Sequence, residues 1–220
     1  MEKVILFGNS AVASVLYMQL SENTQFEISA FTVDRAFIKE ETLLDLPVIP
    51  FDEVELKYPP DEFKMMIAVG YVKVNQLRAE RYFQAKEMGY RLISYISPQA
   101  GVANGVAVGE NCSIAENCSI APFSHIGDNV FIGTGSIVGH HTVIKDHCYL
   151  SASVRISGYV TVEPYCFFGT NAIVRNKVVI ARENIIGAGA VILGDTKEKG
   201  VYMAQPAERL PIESDKLSPP

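Results

Sequence analysis

The sequence predicts an α/β N-terminal part with a parallel sheet, followed by a left-handed parallel β-helix. Three observations support this prediction. An apolar residue recurs every six positions through the second half of the chain, a mostly small residue lies four positions after it, and the first half alternates strand-like and helix-like segments. We place the boundary after residue 96, which gives two domains, 1–96 and 97–220, the second ending in a C-terminal tail.

The six-residue repeat runs through the second half without an insertion. The apolar series consists of Val102, Val108, Ile114, Ile120, Ile126, Ile132, Val138, Ile144, Leu150, Ile156, Val162, Phe168, Val174, Ile180, Ile186 and Ile192. Neither the 3.6-residue period of a helix nor the two-residue alternation of a single strand produces this spacing. Each repeat must therefore turn the chain, and three repeats, about 18 residues, form one triangular coil. The series predicts about five coils, with Ile192 as the last apolar position.

The second series starts at Cys112 and recurs every six positions to Ala190. A large apolar residue paired with a small neighbour is typical of hexapeptide repeats in β-helices. All four cysteines belong to this small-residue series: Cys112, Cys118, Cys148 and Cys166. We therefore expect small buried thiols in a reducing compartment, and neither disulfides nor zinc ligands.

The first half, up to about residue 96, predicts βαβ units. Apolar runs predict strands at 4–7, 26–33, 48–51, 65–69 and 91–95, and two longer segments predict helices at 11–20 and 76–88. Strands that alternate with helices form parallel sheets.

Parallel sheets bind ligands at the carboxyl ends of their strands. The residues at these ends are Gly8, Asn9, Ser10, Asp34, Gly70 and Tyr71. We expect them to bind a substrate. The turn at Gly8 either holds an anion on helix N–H groups or only reverses the chain, and Asp34 either binds a ribose hydroxyl or is solvated. Because there is no GxGxxG motif, we expect no dinucleotide cofactor.

Composition restricts the function classes. The net charge of −6 disfavours binding to nucleic acid, which is normally neutralised by a basic face. The apolar run at the N-terminus reaches Gly8 after four residues, too few for a signal peptide or a membrane span. We expect a cytoplasmic protein with neither a nucleic-acid partner nor a membrane insertion.

Four histidines, at positions 125, 140, 141 and 147, lie outside both series. We therefore expect their side chains to point outward from the β-helix. Zinc requires converging ligands, whereas the adjacent His140 and His141 diverge on an extended chain. We expect no metal site.

The whole chain resembles a known family. The βαβ part, the hexapeptide repeats, the segment 139–144 (GHHTVI) and the segment 200–207 (GVYMAQPA) are similar to the sugar acyltransferases of the sialic-acid O-acetyltransferase and bacillosamine-pathway N-acetyltransferase family. The resemblance implies an N-terminal domain that binds the nucleotide of a nucleotide-linked sugar, with acetyl-CoA between neighbouring β-helices of a homotrimer. Two features differ here: His141 replaces an acidic residue that often follows the catalytic histidine, and the turn at 8–12 lacks the usual histidine.

The resemblance implies that His140 is the general base, since an imidazole accepts protons near neutral pH. Gly158 lies one coil beyond His140, where its N–H could stabilise a developing oxyanion. His141 and Asp146 are candidates for positioning groups, and Asp146 could equally be a solvated corner residue. The candidates for binding the CoA moiety are Gly158, Gly187, Ala188, Gly189 and Lys197.

The predicted function is acetyl-CoA-dependent N-acetylation of a nucleotide-linked amino sugar, in the synthesis of a surface polysaccharide or glycan. Because an amine and a hydroxyl need the same base, sugar O-acetylation of the sialic-acid type remains an alternative. A β-helical metalloenzyme of the γ-carbonic-anhydrase type and a non-enzymatic solenoid share the same repeat. Both fit the histidine cluster less well than an acyltransferase does.

Overall fold

The computed structural model describes residues 1–23 and 25–216. The strands of the N-terminal part are β1 Glu2–Phe7, β2 Phe26–Val33, β3 Thr42–Leu43, β4 Leu46–Pro50 and β5 Lys64–Ile67, and its helices are α1 Ala11–Ser21, α2 Val54–Lys57 and α3 Gln76–Glu87. They form one five-stranded sheet in the order β3-β4-β2-β1-β5. All pairs are parallel except β3 with β4. The predicted α/β fold class is confirmed.

Strand β1 lies between β2 and β5 in this sheet and separates two apolar cores. Val4 and Leu6 pack on one side with residues of α1, whereas Ile5 and Phe7 pack on the other side with Tyr82 of α3. This division follows from the two-residue alternation of a strand. Both faces are covered, as expected for a parallel sheet.

The predicted strand at 91–95 pairs with this sheet at one residue only, beside β5. Leu92 forms a single parallel bridge with Met65, and the chain then enters the β-helix, where the N–H of Tyr95 donates to the carbonyl of Cys112 at 2.8 Å. The strand that pairs with Tyr95 comes later in the chain, so the apolar pattern of residues 91–95 could not identify it.

The β-helix consists of two-residue strands. They are β6 Tyr95–Ile96, β7 Gly101–Val102, β8 Ala107–Val108, β9 Ser113–Ile114, β10 Ser119–Ile120, β11 His125–Ile126, β12 Phe131–Ile132, β13 Ile137–Val138, β14 Val143–Ile144, β15 Tyr149–Leu150, β16 Arg155–Ile156, β17 Thr161–Val162, β18 Phe167–Phe168, β19 Ile173–Val174, β20 Val179–Ile180, β21 Ile185–Ile186, β22 Val191–Ile192 and β23 Val201–Tyr202.

Three parallel sheets of five, six and seven strands form its faces. Neighbouring strands are one coil apart, as in the pairing of Ile120 with Val138. Every member of the apolar series lies in one of these strands, so the left-handed β-helix is confirmed. The six-residue spacing ends at Ile192, and β23 adds one further strand outside that spacing, with Tyr202 paired to Ile186 of β21.

Both series point into the interior. Ile132, Ile144 and Phe168 are fully buried, and the four free cysteines are buried beside such residues. The thiol of Cys112 donates to the carbonyl of Gly127 at 3.0 Å, and burial raises the pKa of Cys112 to about 12. The expectation of buried, unpaired thiols is confirmed.

The N-terminal part packs on the β-helix through α3 and the segment before it. Arg78 donates to the carbonyl of Cys148 at 2.8 Å, and Asn75 donates to the carbonyl of Cys166 at 3.0 Å. His147 lies beneath this contact, between the rings of Phe83 and Tyr165. The expectation that all four histidines point outward is right about direction, but His147 is only 4% exposed because α3 covers it.

Candidate active site

The triangular β-helix has three edges, which we name by one residue each. The His140 edge lies between β13 and β14, and the His147 edge lies between β14 and β15. The Gly189 edge lies between β21 and β22. Residues 18 positions apart stack in successive coils, as in the pairing of Val138 with Ile156. The 2.9 Å bond from the N–H of Tyr159 to the carbonyl of His140 links two such coils at the His140 edge.

His140 and His141 are both exposed on the His140 edge. Their Nδ1 atoms are 3.1 Å apart, and the two rings are perpendicular, with an interplanar angle of 89°. The rings are therefore linked by one hydrogen bond, although the residues are adjacent in sequence. Sequence reasoning expected these side chains to diverge, and on this point it was wrong. The turn places His141 in the left-handed region (φ 57°), which folds its ring back towards His140.

Gly158 lies next to the ring of His140. A Cβ on residue 158 would lie 2.9 Å from both Cε1 and Nε2 of His140. Such contacts are too short for any side chain, so a glycine is needed for the imidazole to rest on the next coil. The predicted stacking of His140 and Gly158 agrees with this geometry.

The backbone N–H of Gly158 faces the same edge and has no hydrogen-bond acceptor among residues 1–23 and 25–216. Two equivalent amides on the His147 edge do have acceptors. The N–H of Glu110 donates to Oδ1 of Asp128, and the N–H of Asp128 donates to Oδ1 of Asp146, both at 2.9 Å. Because carboxylate oxygens fit at these equivalent positions, a substrate oxygen can reach the Gly158 N–H in the same way.

Two aromatic residues of this edge were missed by the sequence reasoning. Phe123 and Tyr159 lie one coil before and one coil after His141, with ring centroids 4.7 Å and 4.6 Å from its imidazole. All three residues have left-handed backbone conformations. The signal was present in the sequence: the same position carries Asn or Gly in several other repeats, and these residues favour that conformation.

The other predicted residues of the β-helix lie elsewhere within one chain. Asp146 lies on the His147 edge, where its bond to the backbone of Asp128 supports the coil. Gly187, Ala188 and Gly189 lie on the Gly189 edge, and the latter two are exposed. Lys197 is exposed between β22 and β23, and its carbonyl accepts a hydrogen bond from Asn184 at 2.8 Å.

The N-terminal part contains a cleft of about 400 Å³ at the carboxyl ends of β1, β2 and β5. Its lining includes the predicted residues Gly8, Asn9, Ser10, Asp34 and Gly70, together with Phe37, Val72 and Leu77, which were not predicted. The carboxylate of Asp34 pairs with Arg81 at 2.7 Å. This pair holds the carboxylate at the cleft instead of leaving it fully solvated.

Gly8 occupies a position that only glycine fits. Its φ is +132°, and a Cβ would lie 2.6 Å from the carbonyl oxygen of Ala68. The turn brings the start of α1 close to the end of β5, where Ser10 is the N-cap and its side chain makes no capping bond. The structure thus supports the tight-turn interpretation of Gly8, and the uncapped helix start remains available to an anion.

Tyr71 does not line this cleft, so the prediction that it lies there with Gly70 was wrong. Its ring packs against Phe167 and Tyr149 on the outer face of the β-helix, with centroids 4.4 Å and 5.3 Å apart. Gly70 and Val72 on either side of it do face the cleft. The chain reverses direction directly after Tyr71, and three consecutive left-handed residues at 73–75 produce this reversal.

A larger hollow, about 630 Å³, lies on the outer side of Asp34 and is rimmed by Asp52, Glu55 and Glu87. Arg35 lines it as well, but the carboxylates outnumber this one cation and disfavour a phosphate-bearing ligand there. Within residues 1–23 and 25–216, no group of three or more His, Cys, Asp or Glu side chains is arranged to hold a metal ion. No helix in the described part of the chain is long and apolar enough to cross a membrane.

Comparison with known proteins agrees with this architecture. Residues 123–158 match the family model described as bacterial transferase hexapeptide (six repeats). The acetyltransferase domain of PglB from Neisseria gonorrhoeae FA1090 is 23% identical, with a TM-score of 0.85 over 96% of this chain and 100% of that chain. WeeI from Acinetobacter baumannii AYE is 19% identical, with a TM-score of 0.75 over 91% and 94%.

A further similar structure is a variant of perosamine N-acetyltransferase from Caulobacter crescentus, in complex with CoA and GDP-perosamine. It is 25% identical, with a TM-score of 0.81 over 91% of each chain. The resemblance to hexapeptide-repeat sugar acetyltransferases is thereby confirmed, and the chain is an acyltransferase built on that fold.

Proposed function

We propose that this protein transfers the acetyl group of acetyl-CoA to the amino group of a nucleotide-linked sugar. The observation that carries the proposal is the contact of the His140 imidazole with Gly158, whose N–H has no acceptor in the described residues. A base and an oxyanion donor thus lie side by side on an exposed edge. Two similar structures support the donor and acceptor: the PglB domain in complex with acetyl coenzyme A, and the perosamine enzyme with CoA and GDP-perosamine.

The reaction needs no covalent enzyme intermediate. The amine nitrogen attacks the thioester carbonyl carbon, and Nε2 of His140 removes the proton as the C–N bond forms. The Gly158 N–H donates to the carbonyl oxygen as negative charge develops on it. The C–S bond then breaks, and the CoA sulfur takes the proton back from Nε2. The products are an amide and free CoA thiol, and His140 returns to its starting state.

The cleft at the carboxyl ends of β1, β2 and β5 binds the nucleotide of the acceptor sugar. Gly8, Asn9 and Ser10 contribute the N-terminus of α1 to a phosphate, and Asp34 accepts a hydrogen bond from a ribose hydroxyl. This assigns the acceptor to residues 1–96 and the acetyl transfer to residues 97–220. The donor lies along the β-helix, with Lys197 near the CoA phosphates.

The protein acts as a homotrimer. Gly187, Ala188 and Gly189 give a small-residue surface for the pantetheine chain, but they lie on a different edge from His140 and Gly158. One chain alone therefore does not provide a continuous groove, whereas neighbouring β-helices place edges of different chains side by side. Light scattering should give about three times 24.2 kDa, and a fully active monomer would contradict this assembly.

The test of the function is thiol release from acetyl-CoA in the presence of nucleotide-linked amino sugars, with free sialic acids as a second arm. His140→Ala should lower kcat by roughly 10² to 10⁴ with little change in CoA binding. The matched control is His125→Ala, because His125 is also exposed on the β-helix but lies outside the site. Transfer to sialic acids alone would favour the O-acetyltransferase alternative, and full turnover by His140→Ala would refute the assigned base.

A further inference from the structure

The hydrogen bond between His140 and His141 restricts where their protons lie. Nδ1 of one ring is 3.1 Å from Nδ1 of the other, so one nitrogen must carry the hydrogen and the other must offer a lone pair. If His141 donates, the neutral His140 carries its hydrogen on Nε2 and cannot act as a base there. If His140 donates, its Nε2 is unprotonated and lies beside Gly158, where the amino group of the substrate must bind.

We propose that His141 is a positioning residue, which accepts the Nδ1–H of His140 and so keeps Nε2 of His140 unprotonated and aimed at the acceptor amine. This inference rests on the proposed function. It assigns to a neutral imidazole the task that a carboxylate performs when it follows a catalytic histidine in sequence. An orienting partner on the distal nitrogen is a general requirement of histidine bases, because the partner fixes both tautomer and ring direction.

The ring of His141 is itself held in place by stacking. It lies between Phe123 and Tyr159, with interplanar angles of 34° and 15°. Its backbone N–H donates to the carbonyl of Pro122 at 3.2 Å. Aromatic pairs at these distances attract each other beyond the effect of their buried area. The stacking of Phe123 and Tyr159 on His141 therefore fixes the plane of its ring, and with it the direction of its Nδ1 lone pair.

The same arrangement limits the charge that the pair can carry. When His140 takes the substrate proton, its imidazolium donates a charge-assisted bond to neutral His141. If His141 were protonated as well, two N–H groups would face each other at 3.1 Å. The titratable side chains in contact with His140 are His141 and Tyr159. Neither is a carboxylate, so these contacts give the imidazolium no carboxylate partner.

The first test is the tautomer of His140, measured by ¹⁵N NMR of the imidazole nitrogens in the full chain at pH 8. In the unsubstituted protein the hydrogen should be on Nδ1. In His141→Ala it should move largely to Nε2. A hydrogen on Nε2 of His140 in the unsubstituted protein, or an Nδ1–H tautomer that persists in His141→Ala, would overturn the proposal.

The second test is kinetic and compares alanine with two residue types, Asn and Asp, that tolerate the left-handed turn. His141→Ala should lower kcat by about 10- to 100-fold with little change in either KM, because the base remains but is misoriented. His141→Asn should restore activity to within about 3-fold, since its amide oxygen can accept the same bond and asparagine tolerates this backbone conformation. His141→Asp should move the acid limb of the kcat/KM profile to higher pH, because a carboxylate favours the imidazolium.

These outcomes separate the inference from the proposed function. If His140→Ala keeps full turnover, the base itself is wrongly assigned. If His140→Ala is inactive but His141→Ala has normal kcat and an unchanged pH profile, only the positioning role is refuted. Equal losses of kcat in His141→Ala and His141→Asn, without a change in thermal midpoint, would also refute the positioning role. His125→Ala again serves as the control.

Discussion

Nδ1 of His147 lies 2.9 Å from Nδ2 of Asn129, and together these side chains continue a buried column that links the β-helix to the N-terminal sheet. Asn111 donates to Oδ1 of Asn129 at 2.8 Å, and Oδ1 of Asn111 accepts the N–H of Ile67 at 2.8 Å. The amide of Asn129 donates to His147, so Nδ1 of His147 must be unprotonated and the ring is neutral.

Burial and, to a lesser degree, the nearby Arg78 lower the pKa of His147 to about 4. An unfolded histidine titrates near 6.5. The unfolded state therefore binds more protons between these values, so the contribution to stability is complete above pH 6.5 and is lost as the pH falls towards 4. We expect the free energy of unfolding to decrease by roughly 2–3 kcal/mol over this window because of His147.

His147→Asn removes the titrating group and keeps a residue that accepts the left-handed backbone at this position (φ 62°). Urea denaturation at intervals from pH 7.5 to 4.5 should show a smaller loss of stability for this variant. His125→Asn, which changes an exposed histidine, should leave the pH dependence unaltered. Identical slopes for His147→Asn and the unsubstituted chain would contradict the prediction.

The fold was largely predictable because its signals are local and repeated. The six-residue spacing of Ile120, Ile126 and Ile132 predicts a turn at each repeat, and the structure places all of them in the interior. The segment at 91–95 was predicted less completely, because only Leu92 bridges the N-terminal sheet and the end of the segment pairs with the β-helix. Tyr95 pairs with a strand that follows it in the chain, and a local pattern carries no information about such a partner.

The candidate site was predictable only in part. The stacking of His140 on Gly158 follows from counting one coil of residues, whereas the contact of His140 with His141 depends on a left-handed turn. Tyr71 was placed in the cleft because it follows a strand, but the reversal after it turns the ring towards the β-helix. The burial of His147 required knowledge of where α3 docks, which no periodicity of the β-helix indicates.

Gly158→Ala should inactivate the enzyme without unfolding it. The added methyl group would lie 2.9 Å from the ring of His140, so the imidazole must rotate away from the edge. We expect kcat to fall by roughly 10²-fold or more, since a displaced base loses most of its contribution. The matched control is Gly101→Ala, whose Cβ would meet nothing closer than the Cys118 carbonyl oxygen at 3.8 Å.

Thermal midpoints of the two glycine variants should differ little from that of the unsubstituted chain. This comparison separates a displaced ring from a disrupted coil. Normal turnover by Gly158→Ala would show that the position of the His140 ring on the next coil is irrelevant to catalysis.

Substitutions in the cleft should affect the acceptor and not the donor. Gly70→Val has room at the backbone, because a Cβ there meets only Val12 at 3.9 Å, but its branches extend into the cleft. Asp34→Ala removes a carboxylate held there by Arg81. Both should raise the KM for the nucleotide-linked sugar at least 10-fold more than the KM for acetyl-CoA. Equal effects on the two KM values would argue against separate binding regions.

Substitutions of Arg78 test how the N-terminal part is held on the β-helix. The residue is 3% exposed. Its guanidinium donates to the carbonyl of Cys148 and lies 5.6 Å from the ring centroid of Tyr149. It forms no ion pair within the described residues, and burial lowers its pKa to about 10. The Cys148 carbonyl also accepts the N–H of Phe131 at 3.0 Å, so it keeps one bond if Arg78 is removed.

A buried charge without a counter-ion costs desolvation energy, while the long side chain contributes packing. Arg78→Met keeps the packing and removes the charge, so it should change the free energy of unfolding by about 1 kcal/mol or less, in either direction. Arg78→Ala removes both and should destabilise the chain by about 2–4 kcal/mol through the cavity it leaves against Tyr149. Urea denaturation of the three proteins measures the difference. If Arg78→Met is as unstable as Arg78→Ala, the hydrogen bond to Cys148, and not the packing of the side chain, holds the N-terminal part on the β-helix.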